Sequence, residues 1–223
     1  MEVPRTKPNA PRPSASVMLR RGEEILVCHR VSTVPSFPNY WAFPGGGVSQ
    51  ADLEALDAHP DWFEGRDEEE RPALVALMRE MIEEVGITPG PNGLQVIDTE
   101  HRMQILQDKT AWRRLVDSGE ICTNDADFLV ISERTTPPLA PLRFRNHFFT
   151  IECTVEPVLH TGGRVEFDEY RWATPRQLLD EWRGNEIRLP PPLIMILREL
   201  VEDTLENSIK KMSKEPSHKN ARI

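Results

Sequence analysis

The sequence predicts one domain of mixed α/β class without a regular βαβ repeat, and three observations carry that prediction. Two β-rich runs flank "RRGEE" in "SASVMLRRGEEILVCHRV", the pattern of a hairpin. A stretch of helical period at 72–85 stops at Gly86, where a left-handed C-cap is expected. Further β-rich segments at 127–134 ("DFLVISER") and 146–156 ("NHFFTIECTVE") then lead into a helix that Thr174 can cap, with Pro175 at its first position. With 223 residues and 39% apolar composition, the chain can bury one substantial core.

In chain order, residues 1–14 are rich in proline and polar groups and read as a flexible arm. The hairpin follows, and "STVPSFPNYWAFPGGGVS" after it is dense in Pro, Gly and aromatics, which marks a shaped loop. A short acidic stretch at 51–70 precedes the helix at 72–85. A second helix is expected at about 103–118, stopped by Gly119. One long final helix is expected from "LPPPLIMILRELVEDTLENSIKKM", because Leu193, Leu197, Leu200, Val201 and Leu205 form one apolar stripe. The domain is thus expected over 15–205, and residues 206–223 should hold the end of the last helix and a disordered tail.

Charge and cysteine content narrow the function classes. The chain carries 36 acidic and 27 basic residues, net −9, with no long basic stripe, which argues against tracking a nucleic-acid backbone. Small anionic substrates fit if a bound metal supplies the missing positive charge. Cys28, Cys122 and Cys153 lie far apart and form no CxxC pair, so neither a disulfide framework nor a zinc site is indicated. The six histidines are equally scattered, with no pair at metal spacing. No segment has the apolar length to span a bilayer, so a cytoplasmic protein is expected. The terminal "ARI" is a faint alternative, a peroxisomal address.

The stretch 79–87, "REMIEEVGI", puts Glu80, Glu83 and Glu84 within an arc of roughly 100° on one helix face. Like charges at i,i+4 destabilise a helix by roughly 0.2–0.5 kcal/mol. A face of three carboxylates and no lysine calls for something to neutralise it, and a divalent cation is the chemical candidate. Leu74, Val75, Met78, Met81, Ile82 and Val85 cluster on the opposite side, so the helix should present one face to the core and the other to a site. Taken alone, a solvated acidic face explains the glutamates equally well.

The same stretch resembles the second half of the Nudix hydrolase box, Arg-Glu-apolar-x-Glu-Glu-x-Gly-apolar, at every defined position. At average residue usage, a chain of this length would contain that pattern by chance in only about one sequence in 10⁵. "WAFPGGG" at 41–47 is similar to the stretch that opens the box. The spacing departs from the family, since Gly46 stands 33 positions before Arg79 instead of 14. An insertion of 19 residues, placed at about 51–70, therefore interrupts the box. The family's first box glutamate stays unassigned, with Glu69 or Glu70 as substitutes. The inserted "ADLEALDAHPDWFEG" is expected to wall one edge of the site, anchored by Trp62 and Phe63. Together with "RFRNHFF" at 143–149, "FDEYRW" at 167–172 and "IRLPPP" at 187–192, the insertion resembles a branch that includes peroxisomal coenzyme A diphosphatases.

The resemblance implies a Nudix-type α/β/α sandwich with a mixed sheet, and a metal-dependent hydrolase that uses Mg²⁺ or Mn²⁺ on a diphosphate linked to another moiety. Coenzyme A or an acyl-coenzyme A is the implied substrate. Nucleotide sugars, dinucleotides and capped RNA are alternatives, as is a Nudix-fold sensor that binds a nucleotide without cutting it. The implied metal site is Glu80, Glu83, Glu84 and the backbone carbonyl of Gly45 or Gly46. Glu83 is the candidate base, and Arg79 is expected to orient a glutamate through a bidentate bond. Glu169, three residues before Trp172, occupies a place some Nudix enzymes use for a further ligand or base, with Glu166 as its competitor. Arg143 and Arg145 are candidates for substrate phosphates. The expected partner is a small-molecule diphosphate, with a homodimer as an allowed assembly.

Overall fold

The computed structural model describes residues 10–90, 92–122, 128–138, 140, 142–160 and 165–214, and the backbone of 217–218. The hairpin forms as β1 (Arg12–Arg21) and β2 (Glu24–Arg30), closed by Gly22 at φ 57°, a conformation that a side chain would strain. After it come β3 (Trp41–Ala42), β4 (Gly45–Gly47), α1 (Gln50–Ala58) and α2 (Glu70–Val85). The short strands β5 (Ile87–Gly90) and β6 (Gly93–Val96) precede α3 (Thr99–Gln107) and α4 (Ala111–Asp117). Strands β7 (Leu129–Thr135), β8 (Phe144–Glu152) and β9 (Phe167–Ala173) are followed by α5 (Pro175–Arg183), α6 (Pro191–Leu200), α7 (Leu205–Lys214) and the two-residue β10 (Ser217–His218).

One mixed sheet of eight strands in the order β10-β7-β8-β1-β2-β3 organises the molecule, with β4 also paired to β1 and β9 to β2. β1 runs parallel to β8 and antiparallel to β2 and β4. The two-residue period of the strands divides their side chains between two cores. Val17, Leu19, Leu26, Cys28 and Phe149 pack against α2 and its neighbours, whereas Met18, Ile25, Val27 and Phe148 pack against the helices after β9. The result is the expected α/β/α sandwich.

Helix α2 is the centre of the first layer. The six apolar residues expected to face the core are all fully buried, as are Ala73, Ala76 and Leu77. Gly86 ends the helix at φ 67°, ψ 27°, its N–H returning to Ile82 O and Met81 O. Thr174 caps α5 as expected, accepting from Gln177 N, with Pro175 in the first turn.

Three expectations about the elements change. Residues 12–14, assigned to the arm, belong to β1, where Arg12, Pro13 and Ser14 lie in register with Phe144, Arg145 and Asn146. The helix expected at 103–118 is two helices, because Asp108 Oδ1 accepts from both the N–H and the hydroxyl of Thr110 and draws the backbone out of the helix. The long final helix is also two, and Asp203 and Thr204 make the equivalent local bonds between α6 and α7. Residues 206–214, expected to hold the end of the last helix, lie in α7, which buries Ser208, Ile209 and Met212. The terminal "ARI" lies outside the described residues. Among the described residues, no helix is long and apolar enough to cross a membrane.

Candidate active site

Arg79 is the most buried charge of the α2 glutamate face, and its partners show how that face is neutralised. Its Nε and Nη2 donate to Asp52 Oδ1 and Oδ2 at 2.8 and 2.9 Å, a bidentate pair with both side chains fully buried. Its Nη1 donates to Glu80 Oε1 at 2.8 Å and to Glu83 Oε1 at 3.1 Å, and Nη2 also reaches Gly47 O at 3.3 Å. One guanidinium therefore holds two of the three glutamates and ties them to the glycine loop. Asp52 is itself fixed, because Ser49 N and Oγ each donate to its Oδ2 at 2.7 Å in the capping box that starts α1.

The glycines of β4 are set by close approach. A Cβ on Gly46 would lie 2.3 Å from Glu80 Oε1, so a side chain there displaces that carboxylate. A Cβ on Gly45, whose φ is 145°, would lie 2.2 Å from Ala15 O on β1. Gly45 N donates to Glu84 Oε2 at 2.6 Å, while Glu84 Oε1 is buried without a hydrogen-bond partner. Burial holds the Glu84 carboxyl well above the usual carboxylate range, with the negative charges of Glu80 and Glu166 adding to it and the Gly45 N–H opposing it. Burial likewise raises Glu80, against the attraction of Arg79.

These groups fit a divalent cation. The unpartnered, buried Glu84 Oε1, the adjacent Glu80 carboxylate and a backbone free of side chains beside it offer the oxygen donors a hard cation takes. Among the described residues, no three His, Cys, Asp or Glu side chains already close into a cage. Mg²⁺ requires none, since it is held through one or two carboxylates with water and substrate phosphate.

A cavity of about 890 Å³ opens from this point, with Glu80 and Gly45–Gly47 in its lining. Its walls are mainly apolar, including Phe43, Phe144, Phe148 and Leu193. The "RLPPP" segment contributes Pro190, Pro191 and Pro192 to the cavity wall and also opens α6. Arg30 lines the cavity, with Nε donating to Ser36 O at 3.0 Å and Nη2 3.5 Å from Glu166 Oε2.

Not every expected site residue meets here. Phe144, Asn146 and Phe148 of β8 line the cavity, so the alternation of the strand turns Arg145 to the opposite face. There Arg145 binds Glu69 through both terminal nitrogens and lies 3.0 Å from Glu133. Arg143 donates to Thr136 O at 3.3 Å, and neither arginine lines the cavity. Glu169 is exposed on β9 in register with His29, away from the lining, whereas its competitor Glu166 is part of it. Glu69 and Glu70 do not reach Arg79, as Glu69 is held by Arg145 and Glu70 stands 3.8 Å from Arg66.

The family model described as "NUDIX domain" matches residues 10–191. The chain belongs to the Nudix family. A curated relative, "Putative nudix hydrolase 7" of Caenorhabditis elegans, is 30% identical over 197 residues, 85% of this chain. The chain spans about 60% of that relative's length. Among solved structures, a NUDIX hydrolase from Alicyclobacillus acidocaldarius matches with a TM-score of 0.78 and 24% identity over 93% of this chain and 99% of its own, which shows the fold.

Asp52, which no sequence expectation named, is the acid that holds Arg79. It stands six positions after Gly46, at the start of the stretch 51–70 assigned to the insertion. The inserted turn is anchored as expected by buried Trp62 and Phe63, with Trp62 stacked on His59 at 4.2 Å and packed on Trp112 at 5.3 Å. It does not wall the cavity, whose lining contains none of residues 51–70. It supports the site from behind, through Asp52.

Proposed function

We propose that this chain hydrolyses a diphosphate linked to another moiety, with Mg²⁺ or Mn²⁺ held by Glu80, Glu83 and Glu84 beside the Gly46 carbonyl. The observation that carries this reading is the position of the α2 carboxylates against a glycine loop at one end of a large cavity. The bound cation would supply positive charge against the diphosphate oxygens and make a coordinated water more acidic. Arg79, held by Asp52, orients Glu80 and Glu83. Glu83 accepts the proton of the attacking water, whose oxygen bonds to phosphorus as the bridging P–O bond breaks. Arg30, which lines the cavity, takes the substrate phosphate contact in place of Arg143 and Arg145.

The substrate within this class is coenzyme A or an acyl-coenzyme A, cut to a phosphopantetheine product and adenosine 3′,5′-bisphosphate. The resemblance of the interrupted box to the coenzyme A diphosphatase branch supports this, as do apolar walls suited to an aliphatic arm. The test is a panel of coenzyme A, dephospho-coenzyme A, ADP-ribose, a nucleotide sugar, a diadenosine polyphosphate and capped RNA, with Mg²⁺ and Mn²⁺ and products identified by mass. Coenzyme A should be cut most efficiently. Equal or better turnover of ADP-ribose refutes the coenzyme A assignment and leaves diphosphate hydrolysis standing. Nucleotide binding without any turnover would instead mark a sensor.

A further inference from the structure

Helix α2 carries Glu83 and Glu84 in its last turn, where the helix dipole is already negative, and that turn contains no basic residue. The missing cation comes from another helix. Arg102 of α3 is buried, and its Nη2 donates to the main-chain oxygen of Glu83 at 3.0 Å, while Nη1 binds Val158 O. Glu83 O is one of the terminal carbonyls a helix cannot satisfy by itself. The neighbouring ones are taken by Val158 N on Val85 O at 2.9 Å and Ile97 N on Gly86 O at 3.0 Å. Gly86 makes the room, since a Cβ there would lie 2.9 Å from Arg102 Nη1 and 3.1 Å from Val158 O. The glycine that stops the helix thus also admits the guanidinium that holds its end.

We propose that Arg102 is a positioning residue of the active site, fixing the last turn of α2 through the Glu83 carbonyl and so aiming the Glu83 and Glu84 carboxylates at a divalent cation. The inference rests on the reading that those carboxylates hold the metal. Arg102 lies outside the box and touches no carboxylate, so its effect passes through the backbone. Groups that orient metal ligands from outside typically change metal affinity by about 10–100-fold.

The test is Mn²⁺ binding to wild type, Arg102→Met and Arg102→Lys, read as free Mn²⁺ by electron paramagnetic resonance, beside thermal melts of the same proteins. Arg102→Met should weaken Mn²⁺ binding at least about tenfold. Arg102→Lys, which keeps the charge but cannot hold Glu83 O and Val158 O together, should lie between the two. With Mn²⁺ saturating, KM for the diphosphate substrate should stay near the wild-type value. A folded Arg102→Met protein with wild-type Mn²⁺ affinity overturns the proposal, however far its melting temperature falls. If Arg102→Met does not fold, Arg102→Lys decides: weaker Mn²⁺ binding supports the proposal, and wild-type affinity overturns it. A folded wild-type protein that binds no Mn²⁺ overturns the metal reading and this inference together, whereas wild-type Mn²⁺ affinity in the variants overturns only the role of Arg102.

Discussion

Replacing Asp52 with Asn should destabilise the protein by about 3 kcal/mol, the lower end of the range for breaking a buried ion pair. The lower end applies because Glu80 and Glu83 still face Arg79 after the change, at 2.8 and 3.1 Å from Nη1. Nε and Nη2 nevertheless lose a carboxylate that they meet at 2.8 and 2.9 Å with no solvent access on either side. At about 2–4 °C per kcal/mol for a chain of this size, the metal-free melting temperature should fall by about 6–12 °C. A double-mutant cycle with Arg79→Met isolates the pair. The double variant should be less destabilised than the sum of the singles by about 1–3 kcal/mol, the coupling expected of contacting residues. Turnover of Asp52→Asn should also drop about 10–100-fold, because the group that orients Glu80 and Glu83 is loosened. A variant within about 1 kcal/mol of wild type, additive with Arg79→Met, would show that Arg79 is held by the glutamates alone and that the inserted helix is irrelevant to the site.

Glu84→Gln should cut turnover at least about 100-fold, and near-wild-type rates at saturating Mg²⁺ would refute its role as ligand. Because burial raises the folded pKa of Glu84, the folded state binds its proton more tightly than the unfolded state. That contribution to metal-free stability is present below the unfolded pKa and is lost as pH rises through the folded one, so urea midpoints should decline over that window and decline less in Glu84→Gln. Gly46→Ala should weaken Mn²⁺ binding while the protein stays folded, since the new Cβ would sit 2.3 Å from Glu80 Oε1; unchanged affinity would separate the loop from the metal. Trp62→Ala should cost about 3–5 kcal/mol in urea unfolding, given its burial against Trp112 and His59, and a loss below about 1 kcal/mol would mean that the inserted turn is not anchored there.

What the sequence determined by itself was everything set by local period and local sterics. The 3.6-residue repeat placed Leu74, Val75, Met78, Met81, Ile82 and Val85 in the core and left Glu80, Glu83 and Glu84 together, because a helix fixes those directions whatever surrounds it. Gly86 had to end that helix and Thr174 had to begin another for equally local reasons. The breaks at Asp108 and Asp203 are local side-chain hydrogen bonds as well, but at Asp203 the bond interrupts the apolar stripe from Leu193 to Leu205, which is the stronger sequence signal. Tertiary structure decided the rest. A two-residue period says that Arg145 and Asn146 point to opposite faces, but only the packing of α2 and α6 on the two sides of the sheet assigns the cavity to Asn146. Glu166 lies just before β9, so no strand period chooses between it and Glu169, and its pairing with Arg30 in the cavity lining is tertiary. The contacts that set the glutamates, Asp52 on Arg79 across 27 residues and Arg102 on the Glu83 carbonyl across 19, join segments with no common period, so they come into being only when the chain closes its core.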